Sequence, residues 1–248
     1  MLRILYRTCS LPNDKPRPPF FSKELCLRSM LRAFTRVRNI ASLQLVSDGP
    51  ISPPFRALLD DFRTVQLPGL GNSGSFVWAF QHALREYGDD DIVYFVEDDY
   101  LHTSEALAKM LECDELLSPD YITLYDHPVR YYDATSPMAD VEHRLHRVYV
   151  ARSHHWRPVE STCMTFAASV RTLKEDRPVF DKHVKTRRVP NDRELFRHLQ
   201  ALGQHADRQP ARTLLGAIPS LATHCELPWI APVVDWDRLA KAIAQGDR

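Results

Sequence analysis

The sequence predicts a single α/β domain of three layers, α/β/α, built around a mixed central sheet. Strand-like and helix-like patterns alternate from residue 3 to residue 125, as they do in doubly wound sheets. The run Ile92–Val96 is apolar at every position and too short for a helix, so it favours a central strand covered on both faces. Beyond Asp126 two strand patterns follow each other without an intervening helix, which indicates an antiparallel element and therefore a mixed sheet.

The first hundred residues contain four strand patterns separated by helix signals. The strands are predicted over Arg3–Cys9, Ser42–Ser47, Arg63–Leu67 and Asp91–Val96. Ser22 is a good N-terminal cap for a first helix, whose apolar residues recur at helical spacing. Shorter helix signals cover Phe55–Leu59 and Trp78–Leu84. The proline-rich stretch Pro12–Pro19 predicts an extended, exposed loop.

The second half continues with a different rhythm. A helix is predicted over Thr103–Leu117, and strands over Tyr121–Tyr125, Arg144–Ala151 and Thr162–Ala167. The stretch Ser153–Pro158 is polar and aromatic, so we interpret it as a loop that holds a substrate. An amphipathic helix is predicted over Asn191–Leu202, with an acid at its start. A tail that carries tryptophans follows residue 226.

Composition excludes several classes of protein. Charge is balanced, with 32 basic and 32 acidic residues, which argues against a nucleic-acid binder that depends on a basic excess. The five cysteines are scattered and form no C-x-x-C pair, which suits reduced thiols in the cytoplasm. No stretch approaches the roughly 20 apolar residues that a membrane span needs, and the first residues already alternate as a strand. We expect a cytoplasmic protein. The sequence does not decide whether it also binds peripherally to the inner face of the membrane.

Three consecutive carboxylates follow the central strand. Side chains alternate along a strand, so Glu97 and Asp99 should project to one side and Asp98 to the other. Two carboxylates on one side repel each other unless a cation, or sugar hydroxyls that donate hydrogen bonds, lie between them. A hard divalent ion such as Mg²⁺ or Mn²⁺ suits these oxygen ligands. A solvated acidic turn is the alternative interpretation.

A glycine-rich loop precedes the third helix signal. Gly69-x-Gly71-x-x-Gly74 matches the dinucleotide fingerprint of NAD(P)-binding oxidoreductases. That fingerprint usually follows the first strand of its domain, whereas two strand patterns precede the loop here. The glycines could equally serve only to turn the chain tightly.

Taken in order, these motifs resemble those of GT-A glycosyltransferases, in particular family 2-like members. The motifs are the strand that ends in Thr8-Cys9-Ser10, the strand that ends in Ser47-Asp48-Gly49, the Gly71-Asn72-Ser73-Gly74 turn and the Glu97-Asp98-Asp99 strand. The likeness covers roughly residues 1–226. It implies a GT-A (Rossmann-like) fold, with a nucleotide-binding half over residues 1–100, an acceptor-binding half over residues 101–226 and a tail over residues 227–248.

The resemblance also implies roles for single residues on the donor side. Thr8 would line the nucleotide pocket, Asp48 would read the nucleobase, and Glu97 would contact the ribose or the ion. Asn72 and Asp98 complete the donor-binding set. Asp99 would ligate Mn²⁺ or Mg²⁺, and His224, from Thr223-His224, resembles the late metal-binding histidine of the family. An ordinary, partly buried histidine is the alternative for His224.

The acceptor side is predicted from a later group of residues. Asp192 is the candidate general base for an inverting transfer, because the helix dipole favours a charged acid at this helix start. His155, Trp156 and Glu160 are the candidate acceptor contacts, since aromatic faces stack on sugar rings and carboxylates bind hydroxyls. The acceptor would be a glycan or a lipid-linked molecule. Asp192 could also be a helix-terminal acid without a catalytic role.

Three other functions compete with this hypothesis. A metal-dependent phosphoesterase or nuclease also gathers acids and a histidine around divalent ions. An NAD(P)-dependent oxidoreductase would use the glycine loop, and a noncatalytic sugar- or nucleotide-binding module would use the acids structurally. The patterns do not distinguish among donor nucleotides, sugars, acceptors or oligomeric states.

Overall fold

The computed structural model describes residues 1–9, 14–51, 53–59, 61–131, 147–185 and 187–246. Over these residues, nine strands form one sheet. They are β1 (Leu2–Cys9), β2 (Ala41–Asp48), β3 (Arg63–Leu67), β4 (Ile92–Glu97), β6 (Tyr121–Thr123), β7 (Tyr149–Ala151), β8 (His154–Pro158), β9 (Phe166–Ser169) and β10 (Leu214–Ile218). Ser10 and parts of the predicted Pro12–Pro19 loop and Arg144–Ala151 strand lie outside the described residues.

The sheet is mixed, as the sequence predicts. Its strand order is β3-β2-β1-β4-β9-β6-β10-β8-β7. The first four strands in this order are parallel, whereas β9 runs antiparallel to both β4 and β6. Strand β10 is parallel to β6, and β8 and β7 then alternate in direction. Strand β4 lies fourth of nine, which confirms that the apolar run before the acidic residues is an inner strand.

Helices cover both faces of the sheet. They are α1 (Lys23–Thr35), α2 (Pro53–Ala57), α3 (Gly71–Glu86), α4 (Ala106–Leu117), α5 (Val170–Val184), α6 (Asp192–Leu199) and α7 (Trp236–Ala244). Alternate residues of β4 serve two different cores: Tyr94 and Val96 pack with α1, α4 and α7. Val93 and Phe95 pack with α3, α5 and α6. The three-layer α/β/α arrangement is therefore confirmed, and it explains why β4 has no polar face.

The first helix begins where the sequence predicts. The Ser22 side chain accepts a hydrogen bond from the Leu25 amide at 3.0 Å, which satisfies one of the free amides of the first turn. Leu27 and Met30 are buried on the sheet side. Arg28 forms an exposed pair with Glu24 at 2.9 Å on the solvent side. The helical spacing of apolar residues therefore located both the helix and its buried face.

Two strands differ from their predicted positions. The loop predicted over Ser153–Pro158 is wrong for most of its length, because His154–Pro158 is strand β8, paired with β10. Its residues alternate, with His154 and Trp156 buried and His155 exposed, as in a strand with one covered face. The strand predicted over Thr162–Ala167 begins only at Phe166. The preceding residues form a loop that the side chain of Asp192 holds.

Several elements have no counterpart in the sequence prediction, among them α5, β10 and α7. Charged residues interrupt the apolar face of α5, and Pro178 lies inside it, so its pattern is weak. Strand β10 is short, and the predicted tail contains α7, whose Trp236 and Ile243 are buried. None of the helices in the described part of the chain is both long and apolar enough to cross a membrane.

A small second sheet brings a distant residue to the acidic motif. Strand β5 (Tyr100–His102) directly follows the acidic residues and pairs antiparallel with β11 (Ala222–His224). The register sets His224 opposite Tyr100, and the Cys225 amide donates to the Asp99 carbonyl at 2.8 Å. Two antiparallel segments far apart in sequence thus place His224 beside Asp99.

Three histidines cluster where α5 meets α6. The Nε2 atom of His183 lies 3.0 Å from Nδ1 of His198, and the ring of His198 stacks on that of His205 at 4.1 Å between centroids. Burial, with smaller contributions from neighbouring charges, lowers the pKa of His183 and lowers the pKa of His198 to about 4. The packing therefore disfavours protonation of His183 and His198.

This cluster predicts a loss of stability in mild acid. The pKa of His198 is lower in the folded chain than its ordinary value, so the unfolded chain binds more protons between about pH 6.5 and about pH 4. The free energy of unfolding should fall as the pH falls through this window. His198→Gln, which stays neutral, should lose less stability between about pH 7 and about pH 5 than the wild type does, measured by urea unfolding. An identical loss in the variant would show that the cluster does not contribute, and His155→Gln, on an exposed residue, is the matched control.

Candidate functional site

The carboxyl ends of three parallel strands meet at one edge of the sheet. The register sets Cys9 of β1 opposite Asp48 of β2, and Arg7 of β1 opposite Glu97 of β4. Open α/β sheets bind their ligands at such edges. The fold therefore gathers most of the predicted donor-side residues, which are Thr8, Asp48, Glu97, Asp98 and Asp99.

Asp48 holds the glycine loop. Its carboxylate accepts hydrogen bonds from the backbone amides of Gly69 at 3.0 Å, Leu70 at 2.6 Å and Gly71 at 2.7 Å. Gly69 and Gly71 have φ values of +91° and +76°, a region that glycine adopts without strain. The glycines thus form a turn that is fastened by Asp48 at the start of α3. The role of Asp48 in reading a nucleobase stays a prediction.

Removing the Asp48 carboxylate should loosen this turn. Asp48→Ala leaves three loop amides without their acceptor, so we expect the free energy of unfolding to fall by about 2–4 kcal/mol. Denaturant unfolding measures the change, and Asp61→Ala, at an exposed position, is the control. A variant as stable as the wild type would show that the loop is held by other contacts.

Arg7 connects the turn to the acidic motif. Its guanidinium donates to the Asn72 carbonyl and to Ser75 Oγ, both at 3.0 Å, and to Glu97 Oε1 at 2.5 Å. The guanidinium also lies 5.2 Å from the centre of the Phe76 ring. Arg7 was not predicted from the sequence, although an arginine in an otherwise apolar strand is a signal for such a role. Asn72 itself is exposed at the start of α3.

Asp98 ties the end of β1 to α1. One of its oxygens, Oδ2, accepts from Thr8 Oγ1 at 2.6 Å and from the Cys9 amide at 3.1 Å, and Lys23 Nζ lies 2.9 Å from the same atom. Thr8 and Asp98, both predicted on the donor side, are therefore in direct contact. The Asp98 side chain is buried, and its contacts join the end of β1 to the start of α1.

Asp99 and His224 come together from positions 125 residues apart. His224 Nε2 lies 3.1 Å from Asp99 Oδ2, and Arg17 donates to the same oxygen at 3.0 Å. The His224 ring stacks on Tyr100, with 5.1 Å between centroids and 12° between planes. Among the described residues, no group lies within hydrogen-bonding distance of the other buried oxygen of Asp99, Oδ1. An unpaired buried carboxylate oxygen is costly unless a ligand completes it.

The pKa values of the three acids of the motif are shifted in different directions. Burial raises the pKa of Glu97 to about 7, although Arg7 opposes the shift. Burial also raises the pKa of Asp98, against the effect of Lys23. For Asp99, burial again favours the neutral form, but His224 and Arg17 outweigh it and hold the pKa below its ordinary value. Asp99 therefore stays ionised and is the best suited of the three to bind a cation.

Binding of a divalent ion by Asp99 and His224 stays a prediction. In the part of the chain that the structure describes, no group of three or more His, Cys, Asp or Glu side chains is arranged to hold a metal ion. Asp99 nevertheless offers a carboxylate oxygen, Oδ1, that has no hydrogen-bond partner among the described residues, and His224 offers an imidazole beside it. Such donors suit Mn²⁺ or Mg²⁺, ions whose other positions are commonly filled by water and phosphate oxygens.

Asp192 fastens the loop that precedes β9. Its Oδ1 accepts from Thr162 Oγ1 at 2.7 Å and from the Met164 amide at 2.9 Å, while Oδ2 accepts from the Thr162 amide at 2.9 Å. Cys163 and Met164 have φ values of +50° and +57°, which are strained for residues with a side chain. The carboxylate therefore stabilises an unusual loop conformation at the start of α6.

This loop lies between Asp192 and the acidic motif. The Tyr100 hydroxyl donates to the Cys163 carbonyl at 3.4 Å. Burial raises the pKa of the Cys163 thiol, and the negative charges of Asp192 and Glu97 raise it further. The thiol thus lies within electrostatic reach of Asp192 and Glu97, so the candidate base and the acidic motif border the same loop.

The remaining acceptor candidates have different surroundings. Trp156 is fully buried, so its ring has no open face, and the expectation that it stacks on an acceptor sugar disagrees with its position. His155 is exposed at the edge where β10 ends, opposite Ile218. Glu160 pairs with Arg197 of α6 at 2.8 Å. The roles of His155 and Glu160 in acceptor binding stay predictions.

Comparison with known proteins identifies relatives by structure alone. No protein-family model matches the sequence, and no curated protein matches it. A solved 4-diphosphocytidyl-2C-methyl-D-erythritol synthase matches with a TM-score of 0.50 and 9% identity, over 98% of this chain and 97% of that one. A CMP:2-keto-3-deoxy-manno-octonic acid synthetase, solved in complex with CTP, matches with a TM-score of 0.51 and 12% identity, over 99% of both chains.

A third match is to TarS from S. aureus. The structure of its residues 1–349 with UDP-GlcNAc matches with a TM-score of 0.44 and 14% identity, over 71% of this chain and 47% of that one. The chain spans between 29% and 60% of the length of the TarS chains that it matches. Together with the sheet order and the layers, the near full-length matches show a GT-A-like, Rossmann-like α/β fold. At these identities the likeness describes the fold and not the activity.

Proposed function

We propose that this chain is a glycosyltransferase that moves a sugar from a nucleotide-sugar donor to a hydroxyl of a glycan or lipid-linked acceptor. One observation supports this proposal above the others. Asp99 and His224 meet at the carboxyl edge of a GT-A-like sheet, and Asp99 Oδ1 is buried without a hydrogen-bond partner among the described residues. This is the position at which such sheets bind their ligands.

The donor would lie along the ends of β1, β2 and β4. Thr8 is on the first of these strands, and the loop fastened by Asp48 presents Asn72 at the start of α3. Glu97 would accept a ribose hydroxyl, and the partly buried edge would exclude water from the diphosphate.

Asp99 and His224 would hold Mn²⁺ or Mg²⁺. When bound, the ion supplies positive charge that stabilises the leaving nucleoside diphosphate. The chain keeps the two ligands in place through β5 and β11, and through the stacking of His224 on Tyr100.

Asp192 would act as the general base of an inverting transfer. The acceptor oxygen forms a bond to the anomeric carbon, the bond from that carbon to the diphosphate breaks, and the hydroxyl proton passes to Asp192. A carboxylate has about four acceptor positions, of which the Thr162–Met164 loop uses three. One position is left for the acceptor hydroxyl.

A nucleotidyltransferase is the second candidate. Two structures that match almost the whole chain are synthases of that kind, and one of them was solved with CTP. Three cationic side chains, of Lys15, Arg17 and Lys23, also lie close to the acidic edge. Such an enzyme would join a nucleoside triphosphate to an anionic second substrate and release pyrophosphate.

Product analysis distinguishes the candidates. We expect the wild-type chain with Mn²⁺ to release a nucleoside diphosphate from one member of a panel of nucleotide sugars, slowly without an acceptor and faster with one. Asp99→Asn, which keeps the shape of the side chain, is the control and should release none. Pyrophosphate from a nucleoside triphosphate would favour the second candidate, and phosphate ester or nucleic-acid hydrolysis would favour a phosphoesterase or nuclease.

A further inference from the structure

Glu97, Asp98, Asp99 and the nearby Glu226 form the acidic edge, and each of these four carboxylates has a cation from the first 23 residues of the chain beside it. The pairs are Arg7 with Glu97 at 2.5 Å, Lys23 with Asp98 at 2.9 Å, Arg17 with Asp99 at 3.0 Å and Lys15 with Glu226 at 2.5 Å. The repulsion that three consecutive acids would create is therefore relieved by the chain itself. Arg7 and Lys23 belong to regular elements, whereas Lys15 and Arg17 belong to the segment that joins β1 to α1.

That segment packs on the end of β11. The Leu227 amide donates to the Pro16 carbonyl at 2.9 Å, and Arg17 donates to the Cys225 carbonyl at 2.6 Å. The Arg17 guanidinium also lies 4.5 Å from the centre of the Phe21 ring. These contacts hold the guanidinium in one orientation, so little side-chain entropy remains to be lost on binding a ligand.

Arg17 and His224 share one oxygen of Asp99. Both approach Oδ2, at 3.0 Å and 3.1 Å, while Oδ1 faces no hydrogen-bond partner among the described residues. A divalent ion on Asp99 would compete with the guanidinium for the same negative charge and weaken their pair. A guanidinium in a largely buried site then needs another anion, because an uncompensated charge there is costly.

We infer that Arg17 is a diphosphate ligand of the proposed donor site, with Lys15 beside it. In the free protein the guanidinium pairs with Asp99, and in the complex it pairs with phosphate oxygens of a nucleoside diphosphate. Its planar donors match phosphate oxygens in pairs, which a lysine cannot do. This inference rests on the proposed function, since it places the diphosphate at Asp99.

The opposite role for Arg17 makes a different prediction. If the guanidinium only occupies the metal position, its removal should strengthen binding of both Mn²⁺ and the diphosphate. If it binds the diphosphate, its removal should weaken diphosphate binding while Mn²⁺ alone binds as well as before or better. The two roles therefore move diphosphate affinity in opposite directions.

Four proteins test the inference: wild type, Arg17→Ala, Arg17→Lys and Arg28→Ala. Isothermal titration calorimetry measures ligand binding, and electron paramagnetic resonance of Mn²⁺ measures metal binding. Arg28 lies on the exposed side of α1, so its variant matches the change in charge without touching the edge. The probes are Mn²⁺ alone, a panel of nucleoside diphosphates with Mn²⁺, and inorganic pyrophosphate with Mn²⁺. We expect Arg17→Ala to weaken binding of the diphosphate and of pyrophosphate by about 10–100-fold, and Arg17→Lys to recover part of the loss.

Each outcome separates this inference from the proposed function. Diphosphate affinity in Arg17→Ala equal to that of Arg28→Ala, or higher, would overturn the role of Arg17 and leave the glycosyltransferase proposal intact. Pyrophosphate binding that depends on Arg17, without turnover of any nucleotide sugar, would support Arg17 and count against the proposed function. A wild-type chain that binds neither diphosphates nor pyrophosphate would overturn both.

Discussion

Asp99→Ala should lose metal-dependent binding of nucleoside diphosphates altogether. Asp99 is the acid of the motif that stays ionised, and its Oδ1 is the buried oxygen without a partner among the described residues. Titration calorimetry of the variant with Mn²⁺ and the diphosphate that the wild type binds measures the loss. Full diphosphate affinity in a folded Asp99→Ala protein would contradict the metal role.

The same variant should be less stable than the wild type. Repulsion among neighbouring acids, taken from the sequence alone, would let the protein gain stability when one acid is removed. The structure reverses this expectation, because Asp99 pairs with Arg17 and His224. Removing it leaves a largely buried guanidinium without its carboxylate, so we expect the free energy of unfolding to fall by about 2–4 kcal/mol. Asp99→Asn keeps an acceptor oxygen and should be destabilised less while still losing metal-dependent binding.

Asp192→Asn should lower turnover by a factor of about 10²–10⁴ while donor binding is preserved. Asparagine keeps the shape of aspartate but cannot accept the proton of the acceptor hydroxyl. It also turns one oxygen of the side chain into a donor, which disturbs the hydrogen bonds from Thr162 and Met164. The kcat of transfer and the Kd of the nucleoside diphosphate, measured together, give the expected pattern.

Thr162→Val separates the chemical role of Asp192 from its structural role. The variant removes the hydroxyl that donates to Asp192 Oδ1 at 2.7 Å but leaves the carboxylate in place. If Asp192 is the base, Thr162→Val should retain most of the turnover that Asp192→Asn loses. Equal losses in the two variants would show that Asp192 acts only by holding the loop, and a retaining mechanism without this base would then be the better explanation.

The sequence predicted the three layers and the main donor-side residues because these features depend on local patterns of apolar and acidic residues. An apolar run with no polar face indicates an inner strand, and β4 does place alternate residues in two cores. Carboxyl ends of parallel strands share an edge, so the acids after β4 and Asp48 after β2 had to be close. His224 was found from its place in the order of motifs, and β11 explains how it reaches Asp99.

The partners of the acids could not be predicted in the same way. Arg7, Arg17 and Lys23 pair with carboxylates that lie 75 to 90 positions away in the sequence. The periodicity of apolar residues does not predict such long-range ion pairs. The segment with Lys15 and Arg17 was interpreted as an exposed proline-rich loop, since proline predicts extended backbone but says nothing about what that backbone packs against.

The acceptor side was predicted less well because its strands are short and irregular. Aromatic and polar residues in Ser153–Pro158 suggested a binding loop, yet the alternation of buried His154, exposed His155 and buried Trp156 is that of a strand. Strand β10 contains Gly216, where a Cβ would lie 2.9 Å from a methyl of Val159. Tight packing of this kind requires glycine, but in a single sequence it looks like a break in a strand.

Titration of a panel of nucleoside diphosphates into the wild-type chain, with Mn²⁺ and again after chelation, tests the central claim most directly. The claim is that Asp99 and His224 form a metal-dependent diphosphate site at the carboxyl edge of the sheet. It predicts saturable binding of at least one nucleoside diphosphate with Mn²⁺, and loss of that binding when the metal is removed. Absence of binding to every member of the panel, or binding that is unchanged by chelation, would contradict it.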